Sequence, residues 1–206
     1  MLKIWGRSSS VNVQKVMWTV RELALPHTAE QVGGPFGGLD TPAYGKLNPN
    51  RKVPVIDDGG LVLWESNAIV RYLAARYGEG SLWPTDLAMR ANADRWMDWT
   101  ATEWQPALAP AFLGLIRTPE AQRNAAAIDA SARKASALAQ MLEDALQSRE
   151  YIAGSHLTMG DIVLGCAAHR WLGIPIDRPA TPALSAWYRR LMMRPAAQGV
   201  LTLPLS

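Results

Sequence analysis

Two short apolar runs on either side of a glycine pair are the feature that most constrains the fold of this chain. The runs are Val53-Pro54-Val55-Ile56 and Leu61-Val62-Leu63-Trp64, and Asp58-Gly59-Gly60 lies between them. Apolar runs flanking such a turn are typical of a β-hairpin, because glycine adopts the backbone angles that a tight turn requires. Glu65-Ser66 and a helically spaced apolar pattern follow at once. The sequence therefore predicts a hairpin that leads directly into a helix.

Each end of this hairpin offers a binding feature. Pro54 is tolerated at the first residue of a strand, and Val53 before it keeps an N–H and a C=O that need not pair within the sheet. Ser66 stands where a helix N-cap is expected, so its hydroxyl and the free N–H groups beside it can hold an anion. A free strand backbone at Val53 together with an anion site at Ser66 suits a small extended peptide that carries a carboxylate. The alternative is that Glu65-Ser66 only caps a helix.

The residues before the hairpin predict one βαβ unit. Leu2–Trp5 is expected to be a strand, and a helix begins at Asn12 and stops at Pro26. A second strand is predicted over His27–Val32, and the crossover between the two strands should be right-handed. With a short helix over Thr41–Leu47 and the helix over Ser66–Tyr77, residues 1–78 form a βαβ-ββα domain of the α/β class.

The remainder of the chain is predicted to be all-helical, after a linker over residues 79–86. The capping box Thr158-Met159-Gly160-Asp161 marks one helix start, because Thr158 and Asp161 can each bond the other's backbone. Prolines at 106 and 110 are expected to bend the first long helix. Residues 87–206 are therefore expected to contain helices over Leu87–Ile116, Pro119–Gln147, a segment starting at Thr158, and Pro182–Met193.

Composition excludes several classes of function. The formal charge is +3 and the pI is about 9.2, but the basic residues are scattered, which argues against nucleic-acid binding. No apolar run is long enough to cross a membrane. The single cysteine, Cys166, lies in an apolar segment, so we expect a buried thiol and a cytoplasmic protein. The three histidines lack metal-ligand spacing, and no metal is expected.

Four features together resemble the cytosolic glutathione transferase family over essentially the full chain. They are Ser10-x-Asn12-x-x-Lys15-Val16, Val53-Pro54, Glu65-Ser66 and the capping box. The match is best to serine- and asparagine-type bacterial members, which are theta-, beta- or nu-like. The resemblance implies a thioredoxin-like domain followed by an all-helical domain, a cis Pro54, a homodimer, and glutathione as the co-substrate.

The resemblance also implies a role for each residue of the hairpin. The backbone of Val53 would pair with the cysteinyl unit of glutathione. Glu65 would hold the γ-glutamyl ammonium, and Ser66 would bind the neighbouring carboxylate. Lys52, with Arg51, would neutralise the glycyl carboxylate.

The reaction requires a thiolate, and a hydrogen bond from one hydroxyl or amide can stabilise that anion. Lowering a thiol pKa by about two units needs about 2.7 kcal/mol, and one hydrogen bond to a charged group supplies about 1.5–3 kcal/mol. By resemblance, Ser10 is the first choice for this donor and Asn12 its partner or substitute. The alternative is that the serines form a turn and Asn12 caps the helix.

The electrophile site is less well defined by the sequence. Trp104, Leu108 and Phe112 fall along one helix face and are predicted to contact a small hydrophobic electrophile. The same stripe is also typical of core or dimer contacts. The leading function is conjugation of glutathione to such electrophiles. A glutathione-dependent disulfide or peroxide reductase and a non-catalytic binding protein remain the alternatives.

Overall fold

The computed structural model describes all residues from 1 to 206, and its first part is a four-stranded mixed sheet. The strands are β1 (Leu2–Trp5), β2 (His27–Glu30), β3 (Val55–Asp58) and β4 (Leu61–Trp64), in the spatial order β2-β1-β3-β4. β1 is parallel to β2 and antiparallel to β3, with Ile4 opposite Ala29 and Ile56. The predicted βαβ-ββα order is confirmed, although β2 ends at Glu30 instead of Val32.

Helices cover both faces of this sheet. α1 (Val11–Glu22) and α3 (Ser66–Tyr77) pack on one face, and α2 (Pro42–Leu47) lies against the other. Alternation along the strands explains the division, because successive side chains point to opposite faces. Ile4 and Ile56 pack with α1 and α3, whereas Trp5 and Val55 pack with Tyr44 of α2.

The hairpin turn is one residue shorter than expected. Asp58 pairs with Leu61 as the last residue of β3, so the turn consists of Gly59 and Gly60 alone. Their φ angles are +63° and +99°, which only glycine adopts without strain. The Asp57 carboxylate accepts a 2.7 Å hydrogen bond from the N–H of Gly60 and closes the turn.

The second part of the chain is helical, as predicted. α4 (Leu87–Trp99) and α5 (Gln105–Phe112) form one continuous helical stretch with π-helical turns at Thr100–Trp104 and Leu113–Arg117. Pro106 and Pro110 lie in α5 between these two turns, and each lacks a backbone donor. The later helices are α6 (Ala125–Leu146), α7 (Met159–Gly173) and α8 (Pro182–Met192).

One helix start was predicted wrongly, and another was confirmed. α6 begins at Ala125 rather than Pro119, because the side chain of Asn124 accepts a hydrogen bond from Ala127 N and caps the helix there. The capping box at Thr158 is present in the structure, and α7 starts at the next residue. None of these helices combines the length and the apolar character needed to span a membrane.

The two parts of the chain share a continuous core. Trp18 of α1 is fully buried against α7, and a Cβ placed on Gly165 would lie 2.7 Å from its ring. Glycine at 165 therefore allows α1 and α7 to approach closely. Cys166, next in sequence, is buried as expected, and burial raises the pKa of its thiol to about 12. The N-terminal end of α1, where Ser10 and Asn12 lie, is thus held at the junction of the two parts.

Candidate active site

Val53 and Pro54 lie just before β3, and the peptide bond between them is cis, as expected. Neither the N–H nor the C=O of Val53 makes a hydrogen bond within the protein. The turn after β1 folds against this residue, because a Cβ placed on Gly6 would lie 3.3 Å from the Cβ of Val53. An extended backbone can therefore pair with Val53 beside the turn that carries Ser10.

The loop before Val53 is held by two residues that the sequence analysis did not assign. Tyr44 Oη and Asn48 Nδ2 each donate a 2.8 Å hydrogen bond to the carbonyl of Lys52. Asn48 is buried and ends α2. The Asn-Pro pair that it forms with the next residue is a turn signal, and this signal could have pointed to Asn48 from the sequence. These bonds fix the backbone at residue 52, and the Lys52 ammonium stays exposed and without a partner.

Arg51 has a different environment from Lys52. Its guanidinium donates hydrogen bonds to the carbonyls of Leu39 and Thr41, at 2.9 and 3.1 Å. The side chain of Arg51 thus stabilises the loop before α2. Its predicted contact with a ligand stays a prediction, and Lys52 is the better placed cation of the two.

The start of α3 presents backbone amides that are free of partners. Ser66 is the first helical residue rather than the N-cap, which is Glu65, so the predicted position of the cap is wrong by one residue. The first intrahelical bond runs from Ile69 N to Glu65 O, and the N–H groups of Ser66, Asn67 and Ala68 have no acceptor in the protein. Such groups, aligned with the helix dipole, favour a carboxylate.

Glu65 has a strained backbone. Its φ angle is +71°, a region that a residue with a Cβ rarely adopts and that costs about 1–3 kcal/mol. Its carboxylate is exposed and makes no hydrogen bond or ion pair in the protein. Strain of this kind concentrates at ligand sites, and here it places a free carboxylate beside the α3 amides.

Ser10 and Asn12 stand at the start of α1, and neither side chain caps the helix. Ser10 occupies the N-cap position without a side-chain bond to the helix. Asn12 lies inside α1, and its Oδ1 accepts a 3.1 Å hydrogen bond from Lys15 Nζ. This bond directs the amide nitrogen of Asn12 away from Lys15, where it is free to donate. The structure thus leaves a hydroxyl and an amide donor at the same turn.

The Lys15 ammonium forms hydrogen bonds with residues of three different helices. Its ammonium is buried and donates to Asn12 Oδ1, Asn67 Oδ1 and Gln105 Oε1, at 3.1, 3.3 and 3.1 Å. Asn67 in turn donates to the carbonyl of Met97. All three acceptors of Lys15 are neutral, and burial lowers the pKa of Lys15 to about 8. One positive charge therefore links the Asn12 turn, the start of α3 and the first turn of α5.

The residues predicted for the electrophile pocket are buried, unlike the exposed side chains of Lys52 and Glu65. Trp104, Leu108 and Phe112 have between 0% and 2% of their surface exposed and pack in the helical core. This burial favours the alternative explanation of the stripe as core, and the substrate contact stays a prediction. A cleft of about 890 Å³ lies between α6 and the loop after α7, and none of the predicted residues lines it.

Comparison with known proteins agrees with this arrangement. The chain matches the glutathione S-transferase N-terminal domain over residues 9–76 and the C-terminal domain over residues 125–190. It is 39% identical to glutathione S-transferase GstB of Escherichia coli, with all of both chains covered. It is 33% identical to rat glutathione S-transferase theta-1, over 72% of this chain and 65% of that protein.

A solved structure extends the comparison to the whole fold. The theta class glutathione S-transferase of Xanthomonas axonopodis pv. citri, determined with glutathione bound, is 47% identical. It superposes with a TM-score of 0.96 over 100% of this chain and 99% of that one. The fold and the site therefore define a thioredoxin-like domain joined to a helical domain, and the chain belongs to the glutathione S-transferase family.

Proposed function

We propose that the protein binds glutathione along Val53 and the start of α3 and transfers its thiolate to small electrophiles. The observation that carries this proposal is the unpaired backbone of Val53 next to the unpaired amides of Ser66, Asn67 and Ala68. An extended tripeptide pairs with the backbone of Val53 and places its γ-glutamyl carboxylate on the free amides at the start of α3. Glu65 then binds the adjacent ammonium.

Lys52 is the third contact that we assign to the tripeptide. Its carbonyl is fixed by Tyr44 and Asn48, and its ammonium has no partner in the protein. In an extended peptide that pairs with Val53, the glycyl carboxylate lies toward Lys52. We therefore assign the glycyl carboxylate to Lys52, with residues 1–78 as the glutathione-binding unit and residues 87–206 as the electrophile side.

Activation of the thiol is assigned to the turn at the start of α1. The Ser10 hydroxyl and the Asn12 amide nitrogen have no acceptor in the protein. One hydrogen bond to a sulfur anion contributes about 1.5–3 kcal/mol, enough to lower a thiol pKa by one to two units. Neither donor needs to remove the thiol proton, which passes to solvent as the thiolate forms.

A homodimer fits two exposed apolar surfaces. On edge strand β4, Leu61, Val62 and Trp64 are each more than a third exposed. On the helical side, Trp96 and Trp99 line an apolar cleft of about 390 Å³. Covering both surfaces with a second copy removes apolar area from water. Sedimentation that shows only monomer at micromolar concentration contradicts the dimer.

The central experiment measures the pKa of bound glutathione by the ultraviolet absorbance of its thiolate. We expect Ser10→Ala to raise that pKa by about one to two units, since one hydrogen bond to the anion is lost. Ser9→Ala is the matched control, because it makes the same chemical change one residue away. An unchanged pKa in Ser10→Ala moves the role to Asn12, and Asn12→Ala is then expected to raise it.

Two assays separate the alternatives. Steady-state rates with an aryl halide and with a small mixed disulfide are compared on the same enzyme. A strong preference for the disulfide shifts the assignment to a glutathione-dependent reductase, which uses the same thiolate. Failure to bind immobilised glutathione indicates a non-catalytic protein. We also infer a cytoplasmic location, because Cys166 is a free thiol and the co-substrate is a thiol.

A further inference from the structure

Lys15 is a buried charge without a countercharge in the protein. It lies on α1 one helical turn after Asn12, and 1% of its surface is exposed. No carboxylate forms an ion pair with it. Removing a charge from water without a countercharge costs free energy that hydrogen bonds only partly return. The position of such a charge beside the thiol donors therefore points to a function beyond packing.

The three protons of this ammonium are all used within the protein. An ammonium has three donors and no acceptor. Its three hydrogen bonds end on the side-chain oxygens of Asn12, Asn67 and Gln105, at 3.1, 3.3 and 3.1 Å. Because it has no free donor and almost no exposed surface, Lys15 does not itself bind the thiolate. It acts through the residues that it holds.

The orientation of the three amides follows from these contacts. Because an ammonium only donates, the oxygen of each amide faces Lys15 and the nitrogen faces elsewhere. A second bond at Asn67 agrees with this orientation, since its amide nitrogen donates a 2.9 Å hydrogen bond to the carbonyl oxygen of Met97. That bond holds the Asn67 side chain between α3 and α4, and it thereby fixes the place of the ammonium.

Asn12 is the member of this set that lies beside Ser10, at the start of α1. Its side chain is partly exposed, and its amide nitrogen has no acceptor in the protein and is not enclosed. A hydrogen bond from a charged donor to an amide oxygen polarises the amide and strengthens the bond that its nitrogen donates. We propose that Lys15 is a positioning residue for thiol activation, which fixes and polarises the Asn12 amide so that its nitrogen donates to the glutathione thiolate.

This inference rests on the proposed transferase function and specifies how one of its two donors is prepared. Without Lys15, the Asn12 amide is free to turn its oxygen toward the thiolate, and an amide oxygen repels an anion. The alternative explanation of Lys15 is that it only joins α1, α3 and α5. The two explanations differ in what removal of the ammonium does to the bound sulfur, rather than to the fold.

A double-mutant cycle distinguishes the two explanations. The pKa of bound glutathione is measured by the ultraviolet absorbance of its thiolate in the wild type, Lys15→Met, Asn12→Ala and the double variant. We expect Lys15→Met to raise that pKa by about one unit, which is a tenfold smaller thiolate fraction at low pH. In the Asn12→Ala background the same change should raise it by less than about half as much, because the residue through which Lys15 acts is absent.

Two further variants control for folding and for loss of charge. Lys15→Gln keeps a neutral donor toward Asn12, so it should raise the pKa by about half as much as Lys15→Met, and it remains informative if Lys15→Met does not fold. Lys134→Met makes the same change of charge at an exposed residue of α6 and should leave the pKa unchanged. An unchanged pKa in a folded Lys15 variant overturns the proposal. An equal rise in both backgrounds also overturns it, because the charge then acts on the sulfur without Asn12.

Glutathione binding, measured by calorimetry on the same samples, separates this inference from the proposed function. If the wild type binds glutathione and Lys15→Met leaves the thiol pKa unchanged, only the role of Lys15 is refuted. If Asn12→Ala leaves that pKa unchanged, Ser10 alone activates the thiol, and the role of Lys15 fails while the transferase function stands. If the wild type does not bind glutathione, the transferase function and the role of Lys15 both fail.

Discussion

Replacing Lys15 with methionine tests the electrostatics on which the candidate site depends. Lys15 has 1% of its surface exposed, and three neutral amide oxygens hold its ammonium. Burial is the main cause that lowers its pKa from 10.5 to about 8. Cys166 and Glu65 oppose this lowering, and Arg170 adds to it. A methionine side chain has a similar length and carries no charge.

The sign and size of the effect follow from the two pKa values. Because the unfolded chain holds the Lys15 proton more tightly than the folded chain, the charged ammonium destabilises the folded state. The penalty is fully present below about pH 8 and is relieved as the pH rises toward 10.5. At about 1.4 kcal/mol for each tenfold change in proton affinity, it amounts to about 3 kcal/mol at neutral pH. About 1 kcal/mol of it remains at about pH 10.

Urea unfolding of the wild type and of Lys15→Met at about pH 7 and about pH 10 measures this change. The difference in unfolding free energy between the two proteins should shift by about 2–3 kcal/mol between the two pH values, in favour of the wild type at high pH. The hydrogen bonds lost at Asn12, Asn67 and Gln105 are missing at both pH values and cancel to first order. The tyrosines titrate in both proteins and cancel as well.

Lys3→Met provides the control for loss of charge, because Lys3 is exposed on β1. Its difference from the wild type should stay within about 0.5 kcal/mol across the same pH range. If Lys15→Met behaves in the same way, the lysine is not held as a buried charge. The link that we describe between Asn12, Asn67 and Gln105 is then refuted.

Three further predictions concern binding, stability and reactivity. Ser66→Ala should weaken glutathione binding about tenfold by calorimetry, since a hydroxyl bond to a carboxylate is lost; unchanged affinity contradicts its role. Asp161→Asn should lower the unfolding free energy by about 2–4 kcal/mol, because Asp161 is buried and accepts hydrogen bonds from Ile152, Thr158 and Trp187. A urea midpoint equal to that of the wild type contradicts it. Iodoacetamide at about pH 8 should label Cys166 only after unfolding, because burial raises the pKa of its thiol to about 12. Rapid labelling of the native protein, detected by mass spectrometry, contradicts that burial.

The features that the sequence predicted best depend on neighbouring residues. The hairpin follows from alternating apolar residues and a glycine turn, and the α7 start follows from the Thr158–Asp161 box. Both are encoded within a few positions. The errors are of the same local kind: α6 begins after its cap Asn124 and not at Pro119, and Glu65, not Ser66, is the N-cap of α3.

The sequence by itself therefore determined the order of the elements and the position of the Val53–Pro54 pair, and the resemblance that it carries predicts Ser10 and Asn12 as donors. Only the tertiary structure decided which charges act together. Lys15 meets Asn67 and Gln105, and Arg117 and Arg170 both lie over the Phe112 ring, across elements far apart in the chain. No local pattern encodes such meetings, because they depend on how α1, α5 and α7 pack. The same packing buries Trp104, Leu108 and Phe112.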